Sequence, residues 1–210
     1  MLVVHHLNNS RSQRVLWLLE ELGIEYEIKY YERDAQTMLA PQELRQVHPL
    51  GKSPVITDGH ITVAESGAII EYIVNRYGNG RLIPAPDTPE RLRYTYWLHY
   101  AEGSAMLPLL FNLVLGRFGL GDSDAMSAFV APQIKLHYDY IESEMHKSEW
   151  FAGEEFTGAD IQMSFPLEVV AANPKEIENR PKIKEFVERI HARPAYKRAL
   201  ERGGQYDFAS

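Results

Sequence analysis

Four short stretches of the chain carry residue types and spacings suited to holding a small charged molecule. The first is Asn8-Asn9-Ser10, with Ser12 close behind, where an apolar opening from Leu2 to Leu7 gives way to a helical repeat. A hydroxyl there serves as a cap accepting from a helix N–H, or as a donor to a ligand held over the helix N-terminus. The dipole and free N–H groups favour negative charge at that point. Ser10 can fill both roles only through different atoms, and Asn9 and Ser12 compete with it as donors. The second stretch is Ser53-Pro54-Val55. A trans proline there simply enters a strand, whereas a cis proline turns the Val55 backbone N–H and C=O outward as a short edge for an extended peptide. The third is Glu65-Ser66 at a strand-to-helix junction. Ser66 reads as an N-cap, or as half of a head-group site in which it holds a carboxylate and Glu65 an ammonium. The fourth is Lys52, which on its own reads as a solvated cation.

Composition removes several chemistries. The chain has 210 residues and no cysteine, so disulfide scaffolds, thiolate metal sites and a protein thiol nucleophile are all excluded. Thiol chemistry here needs a sulfur supplied by a ligand. No His-x-x-x-His or His-Glu-x-x-His spacing occurs, and adjacent strand residues His5 and His6 face opposite ways, so no metal site is expected. No glycine-rich phosphate loop is present; Gly116, Gly119 and Gly121 follow a helix and read as a loop. The net charge of −7 argues against nucleic acid or an anionic membrane as partner. Met106 to Leu115 is the most apolar window and is too short to span a bilayer. The N-terminus lacks the features of a signal peptide, which points to a cytoplasmic protein.

The elements that must position these residues follow from periodicity. Val15, Leu18, Leu19 and Leu22 fall at helical spacing, and Gly23 stands where a helix would stop. Ile24, Tyr26, Ile28 and Tyr30 alternate with charged residues, predicting a half-buried strand with those four on one face. A short helix is expected over residues 41–47. Val55–Thr57 and His60–Ala64 flank an Asp58-Gly59 turn and predict a hairpin. Ile69, Ile70, Ile73, Val74 and Tyr77 then form a helix stripe. The order β-α-β-α-β-β-α describes an α/β domain over residues 1–80. A linker rich in proline follows over 81–89, and an all-helical domain over 90–210. Within the latter, residues 90–117 predict a helix bent at Gly103 and Pro108, and Thr157-Gly158-Ala159-Asp160 predicts a capping box.

Taken together, these stretches resemble the cytosolic glutathione transferases over the whole chain. The likeness is carried by Ser10 through Gly23, Pro49 through Val55, Ala64 through Ile69, the Thr157–Asp160 cap and Arg193-Pro194-Ala195. The resemblance implies a thioredoxin-like N-terminal domain, an all-α C-terminal domain and a cis bond before Pro54. It implies that Val55 pairs with the cysteinyl unit of glutathione, with Ser53 and Pro54 shaping that edge. Glu65 and Ser66 would hold the γ-glutamyl head, and Lys52, joined by His48, the glycyl carboxylate. His5, His6 and Leu7 stand where a tyrosine would serve, so the chain resembles the serine type, with Ser10 or Asn9 donating to the glutathione sulfur. The thiolate would attack a small hydrophobic electrophile, with Tyr100, Met106, Leu110 and Phe111 as walls of its pocket. Reduction of hydroperoxides is a possible second activity by the same likeness, as is a homodimeric state. A glutathione-dependent disulfide reductase and a non-catalytic glutathione or ligand carrier are the alternatives.

Overall fold

Leu2–Leu7 (β1) is apolar along its length because both of its faces are covered. Val4 and Leu7 are buried on opposite faces, and so are His6 and His5. The computed structural model describes residues 1–119 and 124–209. After β1 come Ser12–Leu22 (α1), Glu27–Tyr31 (β2), Leu44–Val47 (α2), Val55–Asp58 (β3), Ile61–Ala64 (β4) and Ser66–Tyr77 (α3). The sheet order is β2-β1-β3-β4. β1 and β2 are parallel; β3 runs antiparallel to both β1 and β4. This is the mixed sheet of a thioredoxin-like domain, with Leu7, Tyr31 and Leu44 forming a small buried cluster.

β2 differs from its sequence reading. It starts at Glu27, Tyr30 is 58 % exposed, and Tyr31 is the buried residue. The cause is position: β2 is an edge strand, and Tyr31 shares a face with Leu7 and the helix α2. The predicted bend in residues 90–117 takes the form of a π-helical turn over Ala101–Ala105, separating Pro89–Tyr100 (α4) from Met106–Arg117 (α5). Pro108 lies three residues past this turn, inside the continuous helical run, so its missing N–H falls where the winding changes. Gly116 lies inside α5 and not in a loop, while Leu120 and Gly121 lie outside the described residues.

The remaining elements are Asp124–Met145 (α6), Gly158–Ala171 (α7), Pro174–Ile177 (α8), Pro181–Ala192 (α9) and Pro194–Gly203 (α10). The chain forms two compact units, one of Met1–Ile83 with Glu188–Ser210 and one of Pro84–Val187. The sequence reading grouped residues 188–210 with the helical half. In the structure α10 lies along α1, with Trp17 edge-on to Tyr196 at 5.2 Å. Arg193 pairs with Glu21 at 2.6 Å, and Arg198 and Arg202 pair with Glu20 at 2.9 Å. The second unit packs around Trp97, Phe151 and Phe186. Thr157 and Asp160 make the expected capping box at α7.

Candidate active site

Antiparallel pairing brings three loops to one end of the sheet. His5 near the end of β1 lies opposite Val55 at the start of β3, and Val55 lies opposite Ala64 at the end of β4. The elbow after Leu7, the Ser53-Pro54 loop and the Glu65-Ser66 turn therefore meet there. Ser53 Oγ donates to the His5 carbonyl at 2.9 Å, fixing its loop to β1. Arg14 of α1, itself buried, donates to Ser66 Oγ at 3.3 Å and ties the elbow helix to the Glu65-Ser66 turn.

The three rivals in the elbow have different surroundings. Ser12 is wholly buried, and its Oγ is met by the Leu7 N–H at 3.2 Å, the Leu7 carbonyl at 3.2 Å, His6 Nδ1 at 2.9 Å and Ser10 Oγ at 2.7 Å. It has no face left for a ligand. Asn9 adopts φ 49°, a conformation asparagine tolerates. Its amide donates to Asp207 at 2.7 Å, and its side-chain oxygen accepts from the Asp207 N–H at 2.9 Å. Ser10 keeps 5 % of its surface open, and its Oγ accepts from the Ser12 N–H at 3.2 Å. A lone pair of Ser10 thus serves the helix start, and its hydroxyl also lies 2.7 Å from Ser12 Oγ, a contact in which either serine can donate. Arg33 braces this elbow from below, donating to the carbonyls of Asn8 and Asn9 at 3.2 and 3.0 Å. Nothing in the local sequence pattern marked Arg33 for that task.

The Ser53–Pro54 bond is cis. Val55 is fully buried, so a ligand reaches it only through its backbone. Gly51 takes φ 58°, and a Cβ there would come within 2.7 Å of Arg45 Cγ. Glycine makes this turn without strain, and Lys52 beside the cis-proline loop is exposed. His48 is half-buried; its Nδ1 accepts weakly from the Leu50 N–H at 3.4 Å. Ser66 is not the cap of α3 but its first residue. The cap position belongs to Glu65, at φ 69° and with no side-chain capping bond. A non-glycine residue held there stores backbone strain of the kind that gathers at binding sites. Glu65 spends its carboxylate on no helix N–H, and its side chain is exposed.

Burial pushes the imidazole of His6 down to about 4, so the ring behind Ser12 is neutral at neutral pH. His5 is lowered too, first by burial and then by Lys29. Its Nδ1 meets the Tyr31 hydroxyl at 3.1 Å. Among the described residues no cluster of His, Asp and Glu could hold a metal, and no helix is long and apolar enough to cross a membrane.

The second unit holds an apolar hollow of about 130 Å³ lined by Leu107, Pro108, Phe111, Phe129, Val130, Gln133 and His137. Of the four expected pocket walls, only Phe111 lines it. Tyr100 reaches its rim by a 2.7 Å hydrogen bond to His137 Nδ1, and burial raises its hydroxyl pKa. Met106 is a core residue and Leu110 is exposed. Phe129 and His137 were missed because the sequence pattern alone does not say which face of a long helix meets α5.

The family model described as glutathione S-transferase, N-terminal domain, matches residues 1–75, and that described as glutathione S-transferase, C-terminal domain, matches residues 108–194. Glutathione S-transferase 3 of Schizosaccharomyces pombe is 36 % identical, covering 96 % of this chain and 88 % of that protein. Glutathione S-transferase 1 of Saccharomyces cerevisiae is 32 % identical over 95 % and 94 % of the two chains. Among solved structures, a glutathione S-transferase from Actinobacillus pleuropneumoniae superposes with a TM-score of 0.89 at 36 % identity, covering 100 % of this chain and 96 % of that one. A glutathione transferase from Phanerochaete chrysosporium, solved with oxidized glutathione, shares the fold at a TM-score of 0.82 and 23 % identity over 96 % of each chain.

Proposed function

Since the chain belongs to the glutathione transferase family, we propose that it activates the glutathione thiol through Ser10 and presents the thiolate to a small hydrophobic electrophile. The observation that carries this reading is the division of labour in the elbow. Asn9 gives its amide to Asp207, Ser12 is sealed, and Ser10, just ahead of α1, keeps a small part of its surface open. A free thiol titrates near ~8.5, and each unit of lowering corresponds to ~1.4 kcal/mol. A hydroxyl donor together with the helix N-terminus supplies a lowering of about two units. The thiol proton leaves to water, the sulfur forms a bond to the electrophilic carbon, and the displaced group departs with its electron pair.

The tripeptide would be held at both tips. Glu65 takes the α-ammonium, Ser66 and the N-terminal N–H groups of α3 take the α-carboxylate, the Val55 backbone pairs with the cysteinyl unit, and Lys52 neutralises the glycyl carboxylate. The positive φ and uncommitted carboxylate of Glu65 support this assignment. The apolar hollow of the second unit is the proposed electrophile site, with Phe111 as wall and His137 at its rim. Such a surface selects for apolar character more than for one shape. Family likeness also supports a homodimer working in the cytoplasm.

Steady-state assays with glutathione against a chloronitroaromatic, a hydroperoxide and a disulfide test the reading. Ser10→Ala is expected to lower turnover at least about tenfold, or ~1.4 kcal/mol of transition-state stabilisation, while glutathione affinity changes little. Undiminished turnover in that variant would transfer the role to Asn9.

A further inference from the structure

The hydroxyl of Ser10 is the outer end of a chain that runs inward to His6. Alternation along β1 turns His6 toward α1 and α10, where it is 3 % exposed. His6 Nδ1 lies 2.9 Å from Ser12 Oγ, which lies 2.7 Å from Ser10 Oγ. α10 seals the ring from the far side: a Cβ on Gly203 would come within 3.4 Å of His6 Cε1 and 2.7 Å of Gln13 Oε1.

Protons can be counted along this chain. Each hydroxyl has one to give. If Ser10 gives its proton to an external sulfur, the contact between the two serines requires Ser12 to donate to Ser10. Ser12 Oγ then turns its proton away from the Leu7 carbonyl, 3.2 Å off, and accepts from its two remaining neighbours. The Leu7 N–H supplies one such bond at 3.2 Å. The imidazole must supply the other, since a bare Nδ1 would set lone pair against lone pair at 2.9 Å. The opposite nitrogen, Nε2, is buried without a hydrogen-bond partner. A buried N–H without an acceptor is costly, so the partnerless nitrogen suits the bare one.

We propose that His6 is a positioning residue for thiol activation: its Nδ1–H donates to Ser12, Ser12 donates to Ser10, and the Ser10 proton is thereby directed at the glutathione sulfur. The proposal rests on the Ser10 reading above. No proton moves through the ring; it fixes the direction of two hydroxyls. The ring is well placed for a fixed tautomer, being neutral, edge-on to Tyr30 at 6.0 Å and sealed by the Gly203 backbone. That backbone pulls weakly toward the charged ring without closing a hydrogen bond to Nε2.

The test compares His6→Asn with His6→Gln. An asparagine amide nitrogen takes the place of Nδ1, and a glutamine amide nitrogen that of Nε2. The pKa of bound glutathione is read from thiolate ultraviolet absorbance, with S-methylglutathione affinity measured in parallel. His6→Asn is expected to keep the thiol pKa close to that of the unaltered protein. His6→Gln is expected to raise it by about one unit, a tenfold loss of thiolate below the pKa. S-methylglutathione affinity should stay within about twofold in both. Equal thiol pKa values in the two variants, or a His6→Gln protein that no longer binds the analogue, would overturn the proposal. If the unaltered protein does not lower the thiol pKa, the Ser10 reading itself fails. If Ser10→Ala raises the thiol pKa and His6→Gln does not, only the His6 proposal falls.

Discussion

Helix α1 starts behind Ser10 and Ser12, and helix α7 starts behind Thr157 and Asp160. At α7, Thr157 Oγ1 accepts from the Ala159 N–H at 3.2 Å. Asp160 accepts from the N–H groups of Phe151 and Thr157 at 2.8 and 2.7 Å. The carboxylate sits in the first turn and answers the helix dipole from within the chain. At α1 the Ser12 N–H is met by the neutral Ser10 hydroxyl at 3.2 Å, and the first turn has no acidic residue. Similar hydroxyls thus give opposite results. One N-terminus is closed by its own anion and contributes stability. The other is met by a neutral hydroxyl and has no acid of its own in the first turn, which suits the thiolate proposed above.

Breaking the closed end should cost most. Asp160→Ala orphans two buried N–H groups and is expected to lower stability by about 3 kcal/mol in urea unfolding. Glutathione affinity of the folded protein should not change; a large loss of affinity would show that the α7 cap also serves the site.

The two ends also titrate in opposite senses. Burial holds His6 down to about 4, against 6.5 for an ordinary imidazole. The group costs nothing above its unfolded value, and it withdraws roughly 3 kcal/mol as pH falls through the folded one. Burial pushes Asp160 up to about 6, with its hydrogen bonds opposing. Between its unfolded and folded values the native state binds the extra proton, so acidification returns stability there. Asp160→Asn removes this compensation. Its stability should fall by roughly 3 kcal/mol between about pH 6.5 and about pH 4, and that of the unaltered protein by clearly less. Parallel curves for the two proteins would contradict the assignment.

Giving α1 the acid that α7 already has should be milder. Arg11→Asp is expected to weaken glutathione binding by about 1 kcal/mol, or roughly fivefold, by calorimetry. Tighter binding would mean that the α1 dipole does not face the ligand. Lys52→Ala should do least, about 0.5 kcal/mol, because an exposed cation is screened by water and salt. A loss above tenfold would mark Lys52 as a central anchor.

Both helix starts were legible as hydroxyls ahead of an apolar repeat, because capping is local chemistry. Glu65-Ser66 was legible as a junction, but its assignment was off by one residue. The positive φ of Glu65 is imposed by the strand-to-helix turn and leaves no trace in side-chain type. The exposure of Tyr30 differs from its expected half-buried face because alternation gives two faces and does not say which an edge strand buries. The return of α10 to α1 was not legible either. The stripe of Ala195, Tyr196, Ala199 and Gly203 shows that one face is buried but not against what. Strand alternation gives His6 only a face opposite to His5, and its 2.9 Å contact with Ser12 is visible in the structure alone.

The central claim is tested most directly by a crystal structure of the protein with reduced glutathione. The account predicts the sulfur within hydrogen-bond reach of Ser10 Oγ, the γ-glutamyl head at Glu65 and Ser66, and the Asn9–Asp207 pair intact. A sulfur held by Asn9 with that pair broken, or a tripeptide bound away from the α1 elbow, would contradict it.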